Sequence, residues 1–349
     1  MPESANFNFL RAYAPIFLQL ASAAERAFSS DPNTTLIKLR QLGEALAQDL
    51  AARSGIRFDE TTTQADLLWK LNREIRLDPT IRDLFHTLRI EGNKATHQFQ
   101  TRHKEAMDGL KMARALAIWY HQSFGKHGTQ FKPGPFKPPQ DPSNQLRALQ
   151  TEIDQLKAQL VDSSQQLETN QQLAELITRE KEEYAVLAEQ MDAEARVYEQ
   201  LATDAEAELN RQKAEFERKL TELQIAQKES PPDTSKVIEE TQQASAQFTL
   251  NEELTRILID QQLINAGWQA DTQELTYKKG ARPEKGKNLA ISEWPTQGKQ
   301  SADYVLFTGL TPIAIVEAKR ENLNVAGKIQ QAERYAAGFT PTANMQPAW

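Results

Sequence analysis

Apolar residues in the first third of the chain recur at helical spacing. Leu36, Leu39, Leu42, Leu46 and Leu50 form one stripe, Leu67, Leu68, Leu71 and Ile75 a second, and Ala106, Leu110, Met112, Leu116 and Trp119 a third. Steps of three and four residues place such side chains on one face, so each segment predicts an amphipathic helix. Asp78-Pro79 predicts a fresh helix start, with Pro at the first helical position. Short polar links between the segments predict a compact helical bundle over residues 1–127.

The pattern then changes twice. Residues 128–144 are rich in Pro and Gly, which can neither continue a helix nor sit in a central strand, so a linker is expected there. From Leu146 to Leu223 there is no Gly and no Pro, and one heptad frame runs unbroken. Its first register begins Leu146, Ile153, Leu160, Leu167 and closes with Leu209, Phe216, Leu223; its second includes Leu149, Leu156, Ile177, Tyr184, Met191 and Tyr198. That repeat predicts a long coiled-coil helix over residues 145–229, about 120 Å long if continuous. Asn170, Lys181 and several alanines weaken the middle of the seam, so the rod is expected either to fold back or to take a coiled-coil partner. A second linker is expected over 230–248, around Pro231-Pro232.

Residues 249–349 read as α/β. Thr249 and Glu252 suggest a capping box for a helix through Leu254, Ile257, Leu258 and Leu263 that ends near Gly267. Short β-like runs follow, LTY, LAISEW and ADYVLFTGLTPIAIVEA. In the last of these, two β-rich segments flank a Gly-containing link, predicting a hairpin. With Gly309-Leu310-Thr311 as its loop, Asp303 falls opposite Glu317. Two facing carboxylates destabilise a ladder, and a divalent cation between them reverses the sign of that term. Lys319, two residues beyond Glu317, shares its strand face. Two oxygen donors and an ammonium converging on one point suit a hard cation such as Mg²⁺ or Mn²⁺ and metal-assisted phosphodiester hydrolysis. Glu252 and Glu253, in the first turn of the capped helix, are further candidate metal ligands, Glu253 ahead of Glu252, although an acidic first turn also serves the helix dipole. Lys278, Lys279, Arg282, Lys285 and Lys287 form a basic loop that suits phosphate contacts or a solvated hairpin tip equally.

Composition narrows the field. The absence of cysteine excludes disulfides, zinc–thiolate sites and thiol nucleophiles. No apolar run is long enough to span a bilayer and the N-terminus has no secretory pattern, so a cytoplasmic protein with no membrane contact is expected, though the lack of cysteine also suits the periplasm. The net charge of −7 argues against tight DNA binding by this chain alone, since phosphate neutralisation supplies most non-specific affinity.

The stretches TLNEELTRILIDQQLINAGWQAD, GARPEKGKN, AISEWPT, ADYVLF and PIAIVEAKR resemble the N-terminal nuclease domain of type I restriction enzyme R subunits, of the PD-(D/E)xK superfamily. The resemblance implies a multidomain protein, α then α/β: helical bundle, long coiled-coil helix, and a C-terminal mixed-sheet PD-(D/E)xK nuclease fold, expected to be truncated at Trp349. It implies Asp303 as the motif aspartate, Glu317 as the second metal carboxylate, Lys319 as the motif lysine, and Gln331 and Tyr335 of QQAERY as the Gln-x-x-x-Tyr element that contacts DNA. Ala302 stands where the motif usually has Pro. DPNTTLIKLRQLGEALAQDL and LFHTLRIEGNKATH are similar to the HEPN-like helical domain that precedes the nuclease in one branch of these subunits. Arg89 and His97 have seven residues between them, outside the four-to-six spacing of ribonuclease members of that group.

The implied function is Mg-dependent cleavage of unmodified double-stranded DNA within a restriction-modification complex containing methyltransferase and specificity subunits. ATP use is expected only from motor domains beyond this chain, which holds no G-x-x-x-x-G-K-[ST] loop. Two competing readings are a non-catalytic assembly module that docks the subunit onto its partners, and a HEPN-type ribonuclease acting through His97.

Overall fold

The computed structural model describes residues 4–98, 101–126, 128–139, 203–227, 232–296 and 300–317. After a short 3-10 helix at Asn8–Ala12, five helices build the first body: α1 (Pro15–Ala27), α2 (Pro32–Arg53), α3 (Gln64–Ile75), α4 (Pro79–Gln98) and α5 (His103–Phe124). Helix α6 occupies residues 203–227. Then come α7 (Thr234–Gln247), α8 (Glu252–Asn265), and strands β1 (Gln269–Ala270), β2 (Asn288–Thr296), β3 (Gln300–Thr308) and β4 (Thr311–Val316). The architecture is α followed by α/β, as the sequence pattern implies.

Local chemistry starts these helices where the residues allow it. Asp31 caps α2 by accepting from the Thr34 N–H at 3.0 Å, and Thr63 caps α3 through the Asp66 N–H. Asp78 accepts from the Thr80 N–H at 2.9 Å as Pro79 opens α4. The apolar stripes all face inward: Leu39, Leu46 and Leu50 of α2, Leu71 and Ile75 of α3, and Leu110, Leu116 and Trp119 of α5 are fully buried in one core. Gly92 permits the close approach of α4 to α2, since a Cβ there would collide with the Arg40 side chain.

Two expectations about connectors change. Residues 234–247, read as linker, form α7. Val237 and Ala244 are buried in the helical core, and the Trp119 indole donates to Ser245 Oγ at 3.0 Å; apolar residues at helical spacing after Pro232 outweigh the breakers before them. The Pro-rich segment to Pro139 is laid along the body, with the Asn6 side chain bonded to both the Lys137 N–H and C=O at 2.8 Å. Of the expected rod, residues 145–202 lie outside the described residues. In the described part Leu209, Phe216 and Leu220 seat on the helical body, with Phe216 edge-on to Phe17, whereas Leu223 of the same heptad register is exposed. Among the described residues, no helix is long and apolar enough to cross a membrane.

The strands form one mixed sheet in the order β1-β2-β3-β4, with β1 parallel to β2 and the other pairs antiparallel. Ala290, Tyr304 and Leu306 pack against Leu263 and Ile259 of α8 on one face. Leu289, Ile291, Val305 and Phe307 form the other, covered by Leu275, Tyr277 and Ala281. The expected LTY strand is instead a single bridge at Thr276 followed by a 3-10 turn, Tyr277–Lys279. Helix α8 joins the two regions, since Ile257 and Leu258 enter the helical core while Leu263 and Ile259 meet the sheet.

Candidate nuclease site on the β3–β4 hairpin

The hairpin has a shorter loop than expected. Thr308 pairs with Thr311, leaving Gly309-Leu310 as a two-residue turn with Gly309 at φ +61°, and Gly at the first turn position is what a type II′ hairpin takes. A bulge between Leu306 and Phe307 then shifts the ladder by one residue. Beyond it Leu306 pairs with Ala314, Val305 with Ile315 and Tyr304 with Val316. One further step along this register sets Asp303 across from Glu317, so the bulge cancels the shorter loop.

On its other side Asp303 lies across from Glu293, between the pairs Ser292↔Tyr304 and Trp294↔Ala302. Glu293 has φ +51°, a left-handed conformation costly for a residue with a side chain. Alternation alone would set Trp294 beside Ala290, yet it packs with Leu289, Ile291 and Phe307, so the strand changes face at Glu293. Glu293 turns to Lys278, beside Tyr277, whereas Asp303 turns to Arg256 of α8, so the two neighbouring carboxylates have separate cationic partners.

Both ion pairs are close. The Lys278 ammonium lies 2.6 Å from Glu293 Oε2. Arg256 of α8 places Nη2 3.5 Å from Asp303 Oδ1 and 3.2 Å from Glu252 Oε1. Burial works to lower the Arg256 pKa, but the Asp303 and Glu252 carboxylates more than offset it and hold the guanidinium above its ordinary value. One turn on, Asp260 accepts from the Thr272 N–H at 2.8 Å, the Thr272 hydroxyl at 2.9 Å and the Tyr304 hydroxyl at 3.1 Å. Burial pushes the Asp260 carboxyl above the usual carboxylate range against the pull of those hydrogen bonds, and burial with the neighbouring Asp260 charge raises Tyr304. This network fixes α8 against β3 at the residue next to Asp303.

The helix carrying Arg256 starts two residues later than the sequence suggests. Its cap is Asn251, which accepts from the Leu254 N–H at 2.8 Å, rather than Thr249; with Glu252 as the first helical residue, the spacing a capping box needs is absent. Glu253 turns to the helical body and pairs with Lys111 of α5 at 2.6 Å. The acidic residue of this turn that shares a partner with Asp303 is Glu252.

The basic loop carries its own counter-charges. Lys279 pairs with Glu274 and Lys287 with Glu284, while Arg282 stacks on the Tyr277 ring at 3.7 Å and donates to the Tyr277 and Ala281 carbonyls. Lys285 is exposed. Lys319, Gln331 and Tyr335 lie outside the described residues. Arg89 and His97 both fall on α4, and the Arg89 guanidinium sits 3.4 Å from His86 Nδ1. Arg256, Asp260 and Tyr304 were not singled out from the sequence. Glu252 and Arg256 are visible there as a helical i,i+4 pair, but no local signal joins them to Asp303.

Comparison with known proteins finds sequence relatives of this chain. The model of the type I restriction enzyme EcoKI endonuclease subunit second domain matches residues 269–349, from β1 onward and including Asp303 and Glu317. The chain is also 36% identical over 350 residues to the type I restriction enzyme EcoKI endonuclease subunit of Escherichia coli (strain K12). The chain is a homologue of type I restriction endonuclease subunits. That alignment takes in 97% of this chain and 28% of the relative, so the chain spans somewhat over a quarter of the relative's length. Residues 22–121 of the restriction-subunit homologue, α1 to α5, match a domain family of unknown function, DUF4145. No solved structure gives a significant match.

The donor chemistry of this homologue suits a divalent metal in kind. Asp303 and Glu317 offer hard oxygen ligands from neighbouring strands, the type that Mg²⁺ and Mn²⁺ take in ones and twos with water and phosphate. Among the described residues, no group of three or more His, Cys, Asp or Glu is gathered closely enough to hold a metal by itself.

Proposed function

We propose that this chain carries the nuclease site of a type I restriction subunit and that the site cuts unmodified double-stranded DNA with Mg²⁺ or Mn²⁺. The observation that carries the reading is the Tyr304↔Val316 pairing, whose register, extended by one step, would set Asp303 across from Glu317 at the end of the hairpin. The likeness to the restriction subunit's second domain, over the same residues, supports it.

Asp303 and Glu317 would hold the cation. When bound, the cation supplies charge stabilisation at a phosphate oxygen and makes a coordinated water acidic enough to attack near neutral pH. The Lys319 ammonium orients that water and offsets charge on the phosphate. Gln331 and Tyr335, matched to the family's Gln-x-x-x-Tyr element, would contact the DNA. Lys278, Lys279, Arg282, Lys285 and Lys287 contact phosphates of the flanking duplex once their surface ion pairs, individually weak, exchange for DNA. Methyltransferase and specificity subunits bring the target to the site in the cytoplasm, and ATP acts only through motor domains outside this chain.

The deciding experiment reconstitutes the full-length subunit with those partners and follows linearisation of a supercoiled plasmid. Asp303→Ala and Lys319→Ala should abolish cutting while assembly, followed by size-exclusion chromatography, is unchanged. Normal cutting by both variants sinks the reading and favours the assembly module.

A further inference from the structure

Arg256 is the least expected member of this site. Its side chain is largely buried, and Nη1 has no hydrogen-bond partner among the described residues. An unsatisfied buried guanidinium donor is costly, so its position needs a cause. The cause is one turn away, where Asp260, Thr272 and Tyr304 lock α8 to β3 and leave Arg256 facing Asp303.

We propose that Arg256 is a positioning residue of the site, holding the Asp303 carboxylate as a resident counter-ion and thereby setting how tightly the divalent cation binds. The proposal rests on the nuclease reading above. A largely buried guanidinium and a partly buried carboxylate each need an opposite charge beside them. Lys278 answers Glu293 and Arg256 answers Asp303. A metal ion arriving at Asp303 then meets a fixed positive charge a few ångströms away, and like charges at that range oppose binding. Glu252, on the same guanidinium, gives Arg256 a second anchor as Asp303 turns to the metal.

The test is calorimetric titration of the full-length subunit with MnCl₂, without DNA and without any activity readout. Arg256→Met should bind Mn²⁺ about tenfold more tightly than wild type, the scale expected for removing one charge at that range in a partly solvated site. Arg256→Gln, which keeps a polar side chain on α8, should move the same way and serves if Arg256→Met lowers the melting temperature. Asp303→Asn should lose Mn²⁺ binding in either background. Unchanged or weaker affinity in both Arg256 variants, with Asp303→Asn still abolishing binding, overturns the counter-ion role and leaves the nuclease reading standing. Wild-type Mn²⁺ affinity in Asp303→Asn overturns the nuclease reading and the inference with it.

Discussion

The helical body and the sheet bury apolar side chains in very different ways. In the body one continuous core takes in α1 to α8, from Phe7 and Phe17 to Trp119 and Leu258. The sheet has two smaller clusters, one on each face, and its edge strand β4 exposes Ile313. Yet the candidate chemistry sits on the thinner region. The sheet carries Asp303 on β3, and the body holds the helix that aims Arg256 at it. Ion pairs tie the two together, Lys111 to Glu253 and Lys104 to Asp271, with Gln262 donating to Asp83. A large core can thus position a side chain in a site to which it contributes no ligand.

The sharpest way to break this division of labour is to remove the chemistry without touching the core. Asp303→Ala should lower plasmid cleavage by the reconstituted enzyme about a thousandfold or more, the scale of losing several kcal/mol of metal-dependent stabilisation, with the melting of the helical body unchanged. The converse is to remove core without touching the site. Trp119→Ala deletes a fully buried indole and its bond to Ser245, and should cost about 3–5 kcal/mol by denaturant titration. Trp294→Ala, equally buried but in the sheet cluster, should act on a separate, smaller unfolding transition. A single shared transition for both would show the two regions to be one cooperative unit.

The seam offers a pH test of smaller size. Asp108 of α5 is buried near Lys111 and Lys104, and burial pushes its carboxyl up to about 6. A raised carboxyl is protonated more readily folded than unfolded. Its penalty is therefore absent below the ordinary carboxylate range, grows as pH rises through that range and is complete above about 6. Asp108→Asn should stabilise the protein by about 1–3 kcal/mol at pH 7.5 and by nearly nothing at pH 3.5, measured by urea titration at both. The smallest effect belongs to the exposed end of the seam. Glu253→Gln loses the pair with Lys111 and should cost less than about 1 kcal/mol. It should leave Mn²⁺ affinity unchanged, whereas a clear loss of Mn²⁺ binding would restore Glu253 as a ligand.

Much of this was legible from residue patterns. The three leucine-rich stripes marked the faces of α2, α3 and α5 because burial on a helix follows the period of 3.6. The hairpin was legible from its β-rich halves and Gly309; its loop is one residue shorter than expected, and the bulge near Leu306 restores the expected register from Leu306↔Ala314 to Tyr304↔Val316. The start of α8 was misplaced because Thr249 and Asn251 are both good caps, and local propensity does not choose between them. Helix α7 was missed because Pro231 and Pro232 dominate a stretch whose apolar residues are few and small.

The sequence alone determined most of the helical segments and the hairpin formed by two β-rich runs around Gly309. These follow from periodicity and turn chemistry, which act over a few residues. Only the tertiary structure decided that Arg256 faces Asp303, that Glu253 turns away to Lys111, and that Glu293 pairs with Lys278. Those outcomes depend on how α8 is wedged between a helical core and a sheet, and no short-range pattern encodes the angle at which two such surfaces close on one helix.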